Sequence, residues 1–114
     1  MKHGKKGRKF GLKKNKRESL LQSLALSLIK NGKIKTTEAK AKELRPFVEK
    51  IVTRAKNDTL SSRRVVQSKL GATNKKVFEE IAPMYKDRNG GYTRITKLGN
   101  RESDSSPMAQ IEFV

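Results

Sequence analysis

The first seventeen residues, MKHGKKGRKFGLKKNKR, contain no acid, and this limits what the rest of the chain can build. Nine Lys and Arg lie there (Lys2, Lys5, Lys6, Arg8, Lys9, Lys13, Lys14, Lys16 and Arg17), with three glycines and, beyond Met1, only Phe10 and Leu12 as large apolar side chains. Such a segment cannot bury enough surface to offset the entropy of ordering it, so a core must come from the residues beyond Arg17. The expected organisation is a basic extension over 1–17 and a single domain over 18–114, long enough for one modest core. Fully extended, the arm reaches roughly 55 Å at about 3.3 Å per residue, a length suited to threading into a partner.

Over the whole chain, 28 Lys and Arg stand against 11 Asp and Glu, a net charge of +17. A small fold tolerates that self-repulsion best beside a polyanion, so nucleic acid is the expected partner. The longest apolar stretch, LLQSLALSLI over 20–29, is too short and too polar to span a bilayer, and no membrane partner is expected. Without cysteine there is no disulfide and no thiolate metal site. The basic start does not lead into an apolar run with a small-residue cleavage site, so cytoplasm is the expected location. Asn57-Asp58-Thr59 has the spacing of a glycosylation sequon but reads more simply as a polar linker.

Helical spacing begins at Ser19 with Leu20, Leu21, Leu24, Leu28 and Ile29, and Asn31-Gly32 supplies a stop. Residues 33–37, KIKTT, favour a short strand whose last threonine can cap the next helix. That helix carries the stripe Ala41, Leu44, Phe47, Val48, Ile51, Val52 and Ala55. Pro46 falls within it and predicts a kink or a later start. A third helix with Val65, Val66 and Leu70 ends at Gly71. A fourth, capped by Thr73-Asn74, places Val77, Phe78, Ile81 and Ala82 on one face and stops at Pro83. Residues 92–98 and 108–114 are rich in β-formers and read as strands. The order, helix, strand, three helices, two strands, predicts a two-layer α+β fold on a small mixed three-stranded sheet. No internal repeat is present.

No constellation for catalysis, metal or cofactor emerges. His3 is the single histidine and has no carboxylate beside it; Glu38, Glu43 and Glu49 read as helix-face partners of lysines. Asp104, in a Ser- and Glu-rich loop, lacks the alternating ligands of a calcium site and reads as a local Asx turn. GKKGRKFG lacks the ending of a nucleotide-phosphate loop. An enzyme, a cofactor and a small-molecule substrate are therefore not expected.

Three basic groups remain. One is the arm. The second is Lys33, Lys35, Lys40, Lys42 and Arg45 around the strand-to-helix turn, where open amides favour an anion. The third is Arg88, Tyr92, Arg94 and Lys97 beside Gly90-Gly91; there Tyr92 can stack on a base or pack into the core. Arg63 and Arg64 either add a contact or form the wet face of the third helix.

Four stretches carry a resemblance: the opening Met1-Lys2-His3, IKTTEAKAKELRP over 34–46, GGYTRITKLGNR over 90–101, and the closing PMAQIEFV. In this order, across nearly the whole chain, they resemble the bacterial large-subunit ribosomal protein L-seventeen family. The resemblance implies a two-layer α+β fold, a structural role in the large ribosomal subunit within the cytoplasm, and binding to large-subunit ribosomal RNA. It also implies a place near the peptide exit tunnel beside neighbouring ribosomal proteins. The RNA-facing positions it implies are Lys2, His3 and the rest of the arm, then Lys35, Thr36, Thr37 and Lys40, then Arg88, Gly90, Gly91, Tyr92, Thr93 and Arg94, which coincide with the three groups. The chain departs from the family pattern at Lys2, at Lys16 and at Ser103.

Two rival readings lack support in the residues: a DNA-compacting protein has no recognition helix here, and an RNA-processing enzyme has no paired acids or usable histidine. The division into arm and domain predicts that a chain starting at Ser19 still folds cooperatively while its RNA affinity falls. Circular dichroism with filter binding checks this, and an unfolded truncation contradicts the division.

Overall fold

The computed structural model describes residues 13–72 and 74–114. In order they form α1 (Lys14–Asn31), β1 (Lys33–Thr37), α2 (Glu38–Ala55) and α3 (Leu60–Leu70). A π-helical turn (Val77–Ile81) then runs into the short α4 (Ala82–Met84), and the chain ends with β2 (Thr93–Asn100) and β3 (Pro107–Phe113). This is the expected two-layer α+β fold. The sheet, expected to be mixed, is antiparallel in both of its pairings, with the order β1-β3-β2. The last strand therefore lies in the middle.

Local chemistry explains the boundaries. Gly32, at φ 81°, ends α1 by donating its N–H to the Leu28 carbonyl at 2.7 Å, a left-handed cap that a side chain would oppose. After five residues of β-forming sequence, the Thr37 hydroxyl accepts the Lys40 N–H at 3.3 Å to cap α2. Thr59 caps α3 in the same way, accepting the Ser62 N–H at 3.1 Å.

Three expectations change. α1 begins at Lys14 rather than Ser19, because the charged residues of its first turn carry no apolar spacing to announce it. A truncation at Ser19 thus removes one turn of helix, and a start at Lys13 is the cleaner cut. Of the two expectations for Pro46, the later start is not met: α2 begins at Glu38 and runs through Pro46, which lies on its exposed side. The fourth helical segment does not stop at Pro83. It passes through Pro83, because the π-helical turn runs without a break into α4 and the Ala82 N–H still bonds back to the Val77 carbonyl.

The core lies between α2 and the inner face of the sheet and is closed by α1 and α3. Ala41, Leu44, Val48, Ile51, Val52 and Ala55 of α2 are buried, as are Ala25, Leu28 and Ile29 of α1 and Ala109 and Ile111 of β3. Ile34, Ile95 and Phe113 pack against this cluster from the sheet. Replacing Ile111, which is fully buried, with Ala is expected to cost about 2–5 kcal/mol through lost transfer energy and a cavity. Urea unfolding measures this, and a loss under about 0.5 kcal/mol would show that the central strand is not a core element.

Candidate nucleic-acid interface

The two-residue period of a strand sends Ile34 and Thr36 inward and leaves Lys33 and Lys35 exposed. The register sets Lys33 opposite Glu112 and Glu112 opposite Arg94, a row across all three strands. One step along, Lys35, Gln110 and Thr96 form a second row. Lys33 and Arg94 are thus two strand spacings apart, roughly 10 Å between backbones. Residues of the second and third basic groups, far apart in sequence, meet on one outer sheet face. Arg94 donates from Nε and Nη2 to Glu112 Oε1 at 3.2 and 2.9 Å, while Lys33 and Lys35 have no ion pair among the described residues.

The rest of the second group is more engaged. Lys42 bonds Glu38 at 2.8 Å, Lys97 reaches the same carboxylate from β2 at 3.7 Å, and Arg45 bonds Glu49 at 3.3 Å. The Lys42 hydrogen bond, chiefly, holds the Glu38 carboxyl below its ordinary range. Thr36 is buried and Thr37 is occupied as the cap of α2, so neither hydroxyl faces outward freely. Lys40, in the first turn of α2, is half-buried and has no ion pair among the described residues.

The third group divides. Tyr92 is 1 % exposed, and its ring lies 5.0 Å from that of Tyr85, so it is a core residue and cannot offer a face to a base. Its hydroxyl shares a hydrogen bond with Thr53 Oγ1 at 3.1 Å and accepts one from Lys56 Nζ at 3.2 Å. Thr93 is also buried and donates to Glu49 at 2.9 Å. Gly90 and Gly91 both adopt positive φ, 149° and 64°, so the pair is required by the turn that delivers Tyr92 to the core. Arg88 bonds the Gly91 carbonyl at 3.3 Å and lies over the Tyr85 ring. Of this group, Arg94 alone joins the outer sheet face, since Lys97 is drawn to Glu38.

Arg63 is committed to the fold. It grips Asp58 in the α2–α3 linker through two bonds, at 2.6 and 2.9 Å, and stacks over Phe78 at 4.9 Å. Arg64 is exposed, with no ion pair among the described residues. Of the arm, Lys13 precedes α1 and Lys14, Lys16 and Arg17 lie on its first turn. Lys2, His3, Lys5, Lys6, Arg8 and Lys9 lie outside the described residues. Two exposed cations that sequence reasoning passed over are Lys50 and Arg54, four residues apart on α2 and in line with Pro46. In an amphipathic helix such a pair reads as the wet face, although the spacing itself marks a continuous ridge.

Asp104 accepts the Ser106 N–H at 3.1 Å, which closes the β2–β3 loop as an Asx turn and lowers that carboxyl. Among the described residues no cluster of three His, Cys, Asp or Glu is placed to hold a metal, and no helix is long and apolar enough to cross a membrane.

A family model described as Ribosomal protein L17 matches residues 20–114. Curated relatives named Large ribosomal subunit protein bL17 include that of Persephonella marina, 52 % identical over all of this chain and 95 % of its own length, and that of a Sulfurihydrogenibium species, 54 % identical over all of this chain and 97 % of its own. A third, from Nautilia profundicola, is 49 % identical, again over all of this chain and 98 % of its own. The chain belongs to this ribosomal-protein family, a family of structural proteins rather than of enzymes.

The Arg63 hydrogen bond, above all, lowers the Asp58 carboxyl below the usual carboxylate range. A carboxyl lowered in the folded state stabilises the fold above its unfolded pKa and gives that up as the pH falls through the lowered value. The Asp58→Asn variant is therefore expected to melt lower at pH 7 and to lose less on further acidification below about pH 4. Thermal scans from about pH 7 down to about pH 2 check this, and parallel curves would remove Asp58 from the acid response.

Proposed function

We propose that the protein is a structural constituent of the large ribosomal subunit that binds large-subunit ribosomal RNA through phosphate contacts and RNA shape. The observation that carries this reading is the outer sheet face, where Lys33, Lys35 and Arg94 converge with Gln110 and Thr96 around the Glu112 carboxylate. Polar and cationic groups at strand spacing suit a run of phosphates and ribose hydroxyls, and such contacts read RNA shape rather than a base code. The basic residues at the start of α1 and the arm before it add a second set of phosphate contacts. Family membership supports the subunit assignment and a cytoplasmic location in the ribosome; a site near the peptide exit tunnel beside other ribosomal proteins is part of the same proposal. Duplex DNA is the rival ligand. Equal or better binding to DNA than to large-subunit RNA at physiological salt would overturn the reading.

If six to ten phosphates are engaged, affinity falls on the order of 10³ to 10⁵ fold between 50 and 200 mM salt, by analogy with duplex DNA. Replacing Lys33 and Lys35 together with Ala is expected to lower the slope of log affinity against log salt by about 1 to 2 without changing the melting temperature. An unchanged slope would take the sheet face out of the interface.

A further inference from the structure

We infer that the groove between α1, α2 and α3 is a docking site for a segment of another protein that bears a bulky apolar side chain flanked by carboxylates. The groove encloses about 450 Å³, and its floor is apolar, formed by Leu21, Phe47, Ile51 and Val65. Leu21, Phe47 and Val65 are half-buried, with the rest of their surface left to solvent. Its rim is cationic: Lys50 and Arg54 on α2 and Lys69 on α3 are exposed and have no ion pair among the described residues. Among the described residues Glu43 is the one carboxylate lining it.

Charge and polarity together select the occupant. Phosphates would satisfy the rim but leave the apolar floor wet or force a base onto it, and three cations around an apolar floor fit a peptide with both characters. The chain's own arm is acid-free over 1–17 and is repelled by the rim, and a second copy brings +17 to a surface already positive. An acidic, apolar segment buries the floor and pairs with Lys50, Arg54 and Lys69 at once. The groove lies on the helical layer, away from the outer sheet face, so protein and RNA can be held together. This assignment rests on the ribosomal reading above, in which protein neighbours are available.

A photoreactive benzophenone amino acid at Val65, and separately at Lys69, in the full chain assembled into purified large subunits tests the inference; a third probe at Thr96 reports on the sheet face. The expected result at Val65 or Lys69 is a crosslink to a peptide of another ribosomal protein, with Asp or Glu within a few residues of the joined side chain. The yield should fall several-fold in Lys50→Glu/Arg54→Glu and hold in Lys50→Arg. Crosslinks from both groove positions to RNA, to residues 1–12 or to a second copy, or none at all while Thr96 labels RNA, would overturn the docking site and leave the ribosomal reading standing. Failure of Thr96 to label RNA while the groove labels protein would count against the RNA face alone.

Discussion

The fold depends on covering α2. Its apolar stripe recurs along the whole helix, and α2 touches every other element, with the sheet on one side and α1, α3 and the π-helical turn around the rest. A helix with so wide a buried face is unstable in water alone, so each neighbour exists partly to remove that stripe from solvent. The exposed ridge of α2 is narrow through its second half, where Pro46, Lys50 and Arg54 succeed one another a turn apart. Pro46 is accommodated there because the solvent side can hydrate the carbonyl that its missing N–H leaves open.

The sheet then divides the basic residues by task. Some cations are tied into the domain: Arg63 to Asp58, Arg45 to Glu49, Lys56 to the Tyr92 hydroxyl, Lys76 to the Lys30 carbonyl at 2.9 Å. Others, including Lys33, Lys35 and Arg64, are exposed and have no ion pair among the described residues. A net charge of +17 spread this way leaves the core unburdened and concentrates field on faces that a polyanion can approach.

Much of this was legible in the residues. The spacing of Leu24, Leu28 and Ile29, the Gly32 stop, the Thr37 cap and the alternation of Ala109, Ile111 and Phe113 each report a local preference, and local preferences are what one sequence records. The first turn of α1 was silent because Lys14 and Lys16 occupy its wet side. The passage through Pro83 turned on a π-helical turn that no spacing announces. Tyr92 was ambiguous because an aromatic ring packs and stacks by the same surface; only its tertiary place, against Tyr85 and under Lys56, decides for the core. The meeting of Lys33 with Arg94 required the strand order, which depends on long-range pairing and not on either segment's own pattern.

That strand order has a consequence in time. β1 and β2 never pair, and each acquires its ladder from β3, the last described element to emerge during synthesis. Until then the helices can associate through local contacts while two strands wait without a partner. The lysines of β1 and the basic residues before α1 are made long before the sheet closes. A nascent chain therefore carries its electrostatic attraction ahead of its shape: it can be captured by a polyanion early and acquires a defined fit only when β3 locks Lys33 and Arg94 into one row.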